Sequence, residues 1–287
     1  MHIEKDRISL HVCTKNRPAE LLALLQSLRT QEYTKWDLVL LDDGSQIPII
    51  NIPYVSRMLD RLKLEGHYIN VERLNKSDGV CNARNTLIEK DYFNNEYTCR
   101  LDDDVLPESD YLDILVDTIK KGYDLVSGVT PNLSAPDFGR LTKFVAPVIN
   151  KHTLDKKGNL IDSKDDCGFQ YIDHAVLLTH QFRSCCLYKS SINATFRYPT
   201  NLSPIGFREE GYLSLFCITN NLKMVVNTSA IVFHIRSPTG GARAPDYNEA
   251  VKIDDEYFKK YLQRIFQEKG DIFSKYTQKM GERNDTN

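Results

Sequence analysis

No stretch of this 287-residue sequence approaches the ~18–20 consecutive apolar residues that a membrane-spanning helix needs. The N-terminus, MHIEKDRISL, lacks the apolar stretch of a secretory signal, which predicts a soluble, cytoplasmic protein. Charge of neither sign is in excess: 37 Lys and Arg against 39 Asp and Glu leave a net charge of −2. That balance gives no reason to expect nucleic acid or an anionic membrane as an electrostatic partner, although a local basic groove is compatible with it. The seven cysteines, Cys13, Cys81, Cys99, Cys167, Cys185, Cys186 and Cys217, include no CxxC pair. An odd number without metal-type spacing reads as free thiols in a reducing compartment. Repeats and low-complexity tracts are missing, and 41% hydrophobic with 26% charged residues is ordinary globular composition, which excludes disorder, collagen and coiled coil. GxGxxG does not follow the first apolar run and GxxxxGK[ST] does not occur, so dinucleotide oxidoreductase and P-loop NTPase readings fail.

What the sequence does contain is an alternation. Over the first 130 residues short apolar runs alternate with helical patterns, as in βαβ units around a mostly parallel sheet. The strand candidates are Ile8–Cys13, Asp37–Leu41, His67–Val71, Tyr97–Leu101 and Asp124–Val129. Pro18 suits a first helical turn, and Leu21, Leu22, Leu25 and Leu28 recur at helical spacing to about Gln31. Residues 54–64, 78–91 and the segment after Pro107 also read as helices. The polar and acidic clusters fall just after strands, and ligands of open α/β sheets bind beyond the carboxyl ends of the strands. After residue 130 the pattern loosens: Pro131, Pro136, Gly139 and Pro147 punctuate it, and residues 150–170 are polar and turn-rich. Ala175–Leu178 and Cys185–Tyr188 read as strands, 207–220 as a helix, and Met224–Phe233 as a strand ending at His234. Tyr257, Phe258, Tyr261, Leu262, Ile265 and Phe266 give a tail helix one apolar face. The expectation is one continuous α/β domain over 1–245 with a helical extension over 246–287.

Asp102-Asp103-Asp104 closes an apolar strand. Adjacent carboxylates repel unless a cation neutralises them, and oxygen ligands at i and i+2 on an extended loop suit Mg²⁺ or Mn²⁺. The plainer reading is a solvated loop that charges the next helix N-terminus. An EF-hand is excluded because Leu106 and Pro107 stand where an oxygen ligand and Gly are needed. Thr14, Asn16 and Asp43, at two strand ends, could hydrogen-bond a base edge or simply cap turns. In Glu209-Glu210 one carboxylate could act as a general base, or both could serve only to charge a helix N-terminus. His234 could ligate a metal or merely pack, and the Gly-rich segment after it, with Arg236 and Arg243, could clamp phosphate.

Taken together these residues resemble the family 2 inverting glycosyltransferases, which have the GT-A nucleotide-sugar-binding fold. The resemblance covers roughly residues 8–240. It is carried by Thr14-Lys15-Asn16-Arg17-Pro18, Leu40-Leu41-Asp42-Asp43-Gly44-Ser45, Gly79-Val80-Cys81-Asn82-Ala83-Arg84-Asn85, Arg100-Leu101-Asp102-Asp103-Asp104-Val105-Leu106-Pro107 and Phe207-Arg208-Glu209-Glu210. By resemblance, 1–130 is a nucleotide-binding half and 131–245 an acceptor and catalytic half. Thr14, Asn16, Arg17, Asp43, Arg84, Asp102, Asp103 and Arg236 would hold the nucleotide-sugar, with Asp43 reading the base. Asp102–Asp104 would be the DxD motif, and Asp104, Asp102 and His234 would hold Mn²⁺ or Mg²⁺. The family carries Glu-Asp where this chain has Glu209-Glu210, so Glu210 aligns with the usual base while the extra methylene leaves the choice between the two open.

The implied reaction is transfer of a sugar from a UDP-linked donor to an acceptor hydroxyl with inversion. A sugar-phosphate nucleotidyltransferase shares the sheet but wants a Gly-rich phosphate loop that Lys15-Asn16-Arg17-Pro18 does not supply. A non-catalytic nucleotide- or carbohydrate-binding protein is the other alternative. The tail helix is expected to pack on the core or to form a homodimer contact, since residues 250–287, with eight Lys and Arg against seven Asp and Glu, have no basic bias toward a membrane.

Overall fold

Residues 4–133, 149–166 and 175–284 are described by a computed structural model of the chain. In order, the first half runs β1 (Glu4–Thr14), α1 (Pro18–Arg29), β2 (Trp36–Asp42), α2 (Pro53–Leu64), β3 (Ile69–Arg73), α3 (Val80–Glu89), β4 (Asn95–Asp102), β5 (Val105–Pro107), α4 (Tyr111–Ile119) and β6 (Leu125–Val129). The second half contributes β7 (Ile149–Leu154), β8 (Leu160–Asp166), β9 (Val176–Leu177), β10 (Cys186–Lys189), α5 (Glu209–Thr219), β11 (Met224–His234) and α6 (Tyr247–Asn284). The main sheet has the order β3-β2-β1-β4-β10-β6-β11-β5, with β9 also on β11.

β2, Trp-Asp-Leu-Val-Leu-Leu-Asp, is buried along its whole length. Side chains alternate across a strand. Leu38 and Leu40 accordingly join α1, α2 and α4 on one face, while Val39 and Leu41 meet Ala83 and Leu87 of α3 on the other. α1 begins on Pro18 and buries Leu21, Leu24, Leu25 and Leu28 completely. Truncating any of these to Ala would cost about 2–5 kcal/mol. The opposite face of the second half is covered by α5 and α6, through Leu213, Leu215, Cys217, Phe258, Leu262 and Phe273. The tail therefore packs on the core. It bends at Lys269 (φ −140°), just before Gly270, the residue type least suited to a helix interior.

The sheet is less uniformly parallel than the alternation suggests. β3, β2, β1 and β4 are parallel, but β10 enters antiparallel to both β4 and β6, and β11, parallel to β6, is antiparallel to β5 and β9. The third strand lies two residues later than expected because His67 stays in the loop, its ring stacked 3.5 Å from Trp36 and its Nδ1 2.8 Å from the Trp36 carbonyl. The turn-rich stretch contains an unforeseen hairpin, β7–β8. Its turn is closed by Asp155, whose Oδ1 accepts from the backbone N–H of Lys157 (2.7 Å) and Asn159 (2.9 Å). Pro136, Gly139, Pro147 and Cys167 lie outside the described residues.

Candidate active site at the strand tips

Parallel pairing brings the strand ends level: Thr14 lies opposite Asp42 and Cys13 opposite Asp102. Because β10 is antiparallel to β4, Ser184, two residues ahead of it, meets the exit of β4. His234 ends β11, and Glu209 and Glu210 open α5 at the same edge. These groups surround a cavity of about 760 Å³, within the ~300–1,000 Å³ usual for small-molecule sites.

The three aspartates have three different environments. Asp102 accepts from Arg84 Nη2 at 2.5 Å and from the Ser184 hydroxyl. Burial works against its charge, but the guanidiniums of Arg84 and Arg100 outweigh that and hold its carboxyl well below the usual range. Asp103 turns inward to Thr14 Oγ1 and Arg17 Nη1, both at 2.8 Å. Burial, only partly offset by Arg17, raises it to about 6. Asp104 faces His234 Nε2 at 3.3 Å, Arg17 Nη1 at 3.1 Å and the backbone N–H of Ser237 at 3.2 Å. Burial would lower the His234 imidazole, but the Asp104 carboxylate prevails and raises it.

The glutamate pair divides in the same manner. Glu209, 4% exposed, makes a two-pronged ion pair with Arg100 and lies 3.4 Å from Arg84 Nε. Burial dominates and raises it to about 7. Glu210 stands on the cavity wall, its side chain 24% exposed and its Oε1 3.6 Å from Arg100 Nη2. Arg84 thus joins the aspartate cluster to the glutamate pair.

At the second strand tip, Asp43 accepts from Ser77 Oγ (2.5 Å) and the Asp78 backbone N–H (3.2 Å), and burial raises its carboxyl. This contact depends on Gly44: at φ +71° a Cβ there would sit 2.6 Å from the Ser77 nitrogen. Arg17 fixes the far wall. It donates to the carbonyls of Thr239 and Ser237, and Gly240 lies so close that a Cβ would meet the Arg17 side chain at 2.5 Å. Arg236 lines the cavity beside it.

The cavity gathers every expected site residue except Asn16. Asn16, in the left-handed region at φ 54°, spends its Oδ1 on the Gln46 backbone N–H and its own N–H on Ser45 Oγ, shaping the loop. The residues expected to hold a metal have different partners. Asp104 and His234 are side by side, but Asp102 is committed to Arg84 and Ser184, and no group of three ligating side chains occurs among the described residues. A carboxylate and an imidazole are donors that Mg²⁺ or Mn²⁺ accepts, so Asp104 and His234 would fit such an ion. Sequence reasoning missed Arg100 and Ser184. An arginine inside Tyr-Thr-Cys-Arg-Leu, an otherwise apolar strand, is the signal of a buried counter-charge that could have revealed the first.

Residues 9–171 match the sequence profile of the family described as Glycosyl transferase family 2. No curated protein matches the chain. Among solved structures, GalNAc-T7, crystallised with UDP, GalNAc and Mn²⁺, is similar over 89% of this chain and 50% of its own, with 15% identity and a TM-score of 0.63. TarS of S. aureus, residues 1–349, is similar over 79% of this chain and 60% of its own, with 14% identity and a TM-score of 0.56. The chain therefore spans between half and two thirds of those two structures, and the likeness establishes the fold they share.

Proposed function

The chain belongs to glycosyl transferase family 2 and is a glycosyltransferase with the GT-A fold, and on that premise we propose that it transfers a sugar from a UDP-linked donor to an acceptor hydroxyl, with inversion and with a divalent cation. The observation that carries this reading is the asymmetry of Glu209 and Glu210 on the cavity that Asp104 and His234 also line: Glu209 is locked to Arg100 at 5% side-chain exposure, whereas Glu210 keeps 24%. In this reading residues 1–245 form the transferase domain, with donor contacts in 1–130, and 246–287 are its helical extension. The six described cysteines are free, in keeping with a reducing compartment.

Asp43, held by Ser77 and the Asp78 amide, presents a carboxylate edge to the base. Arg236 and Arg243, on the segment pinned by Arg17, meet the diphosphate. Asp104 and His234 would hold Mn²⁺ or Mg²⁺, which supplies Lewis-acid neutralisation of the departing phosphate, a contribution of several kcal/mol. Glu210 takes the proton of the acceptor hydroxyl as that oxygen attacks the anomeric carbon opposite the diphosphate. The carboxylate must come within ~3 Å of the hydroxyl to do so. Arg100 and Glu209 hold Glu210 in place without touching the reacting atoms.

Incubation with UDP-sugars and Mn²⁺, followed by NMR of the released or transferred sugar, tests the proposal. One UDP-sugar should be consumed with net inversion, and neither Asp104→Ala nor Glu210→Gln should consume it. Full activity in both variants would remove the site assignment, and retention of configuration would remove the mechanism.

A further inference from the structure

A second hollow, of about 510 Å³, opens between α5, α6 and the segment 195–201, and shares no lining residue with the first. Its floor is aromatic. Tyr212 of α5 lies 4.6 Å from the Tyr261 ring of α6, Phe196 lies 5.2 Å from Phe216, and Tyr257, 40% exposed, stands at the edge. Its rim is cationic, with Lys260 6.0 Å from the Tyr257 ring and Arg264 5.4 Å from that of Tyr261. These two are i,i+4 neighbours on one face of α6, so their charges stand about one helical turn apart. No carboxylate lines the hollow, and neither cation takes part in an ion pair among the described residues. Arg197, the remaining cation, is turned onto the carbonyls of Asn193 and Phe196.

We propose that this hollow binds an anionic saccharide, sugar rings resting on the tyrosine edge and acidic groups paired with Lys260 and Arg264. Aromatic faces beside unpaired cations offer apolar area and charge together, and the two features call for a ligand that is both cyclic and negative. Two free cations in a chain of net charge −2 are too few for a nucleic-acid track, which needs a Lys/Arg stripe along the backbone. The proposal deepens the glycosyl-transfer reading and rests on it. α5 carries Glu210 toward the first cavity and Tyr212 and Phe216 toward the second, so an acceptor chain held here is anchored on the helix that presents the base.

The test is calorimetric titration of the full chain with hyaluronan, oligogalacturonate and phosphomannan hexamers, a neutral chitohexaose and oligothymidylate. At least one acidic hexamer should bind ten-fold or more tighter than chitohexaose. Lys260→Ala with Arg264→Ala should weaken it at least ten-fold while UDP binding in Mn²⁺ is unchanged, and Lys260→Arg with Arg264→Lys should restore it. Binding of no acidic hexamer, equal binding of the neutral one, tighter binding of oligothymidylate, or indifference to the double alanine variant each overturns the proposal. If UDP-sugar turnover persists while these fail, only the second site falls. If acidic saccharide binds and no UDP-sugar is turned over, the transferase reading falls instead.

Discussion

Two buried polar clusters in this molecule handle charge in opposite ways. At the strand tips, Asp103 and Glu209 sit at low exposure against Arg17 and Arg100, and Asp102, a quarter exposed, against Arg84. Beneath α6, His180 is wholly buried with no counter-charge among the described residues. Its Nδ1 accepts the His152 backbone N–H at 2.9 Å, so its proton lies on Nε2, 2.9 Å from Thr277 Oγ1. Burial, with His152 and Lys151 adding to it, pushes that imidazole down to about 3. Buried ion pairs are a poor means of stabilising a fold, since desolvation offsets their attraction, whereas neutral hydrogen bonds suffice for packing. The tip cluster is therefore a device for holding charged side chains in fixed positions around a cavity, and the seam beneath α6 is structural.

The largest effect that would sharpen this contrast is on Glu210. Glu210→Gln removes the more exposed carboxylate of the pair that lines the cavity, and transfer should fall by ~10²–10⁴-fold, the usual contribution of a general base. UDP affinity and thermal midpoint should stay as they are. Unchanged turnover would mean that the exposed glutamate is only a helix-end charge, and the contrast between tip and seam would lose its functional meaning.

Next comes Arg100. Arg100→Met strands Glu209 inside the protein without its two-pronged partner, a loss of about 3–5 kcal/mol in unfolding free energy. Adding Glu209→Gln should return part of that loss, and a double-mutant cycle by urea denaturation measures the coupling. Additive effects would show that the pair carries no coupling. Smaller again is Asp104→Asn, which should weaken Mn²⁺-dependent UDP binding by the ~10–100-fold that loss of a partner in a metal site produces. UDP binding in EDTA should be nearly indifferent to it.

How much of this was legible differs between the halves of the chain. Along β1, β2 and β4 each apolar run ends in its polar residues, so strand, tip and candidate site could all be read from the same few positions, and Asp43, Asp102–Asp104 and His234 do line one cavity. The assignment of roles could not be read there, because it depends on which arginine lies across which strand. Asp102 resembles Asp104 in sequence, and only the approach of Arg84 from α3 and of Ser184, just ahead of the antiparallel β10, gives it partners different from those of Asp104. β10 itself was visible as an apolar run, but nothing local fixes its direction. The β7–β8 hairpin was missed because its strands are largely polar and its turn glycine, Gly158, is selected by a distant partner: a Cβ there would lie 2.6 Å from Phe266 of α6. The same reliance on remote residues explains why the second hollow, built from 195–201, α5 and α6, had no signature in any one segment.

The smallest effect separates the two clusters by the sign of their pH dependence. His180 titrates lower folded than unfolded, so between its ordinary value and about 3 only the unfolded chain binds the proton, and stability falls as pH falls. Glu209 and Asp103 titrate higher folded than unfolded, to about 7 and about 6, so over their windows the folded chain binds the protons and stability rises as pH falls. Over the shared range the contributions oppose one another. Removing either should unmask the other, each group at about 1.4 kcal/mol per pH unit at most. His180→Gln, measured by urea denaturation across mildly acidic pH, should become relatively more stable than the parent as pH drops. Glu209→Gln should become relatively less stable. Parallel pH profiles in all three proteins would show that neither cluster shifts its protons on folding, and the contrast between charged tip and neutral seam would then be one of geometry alone.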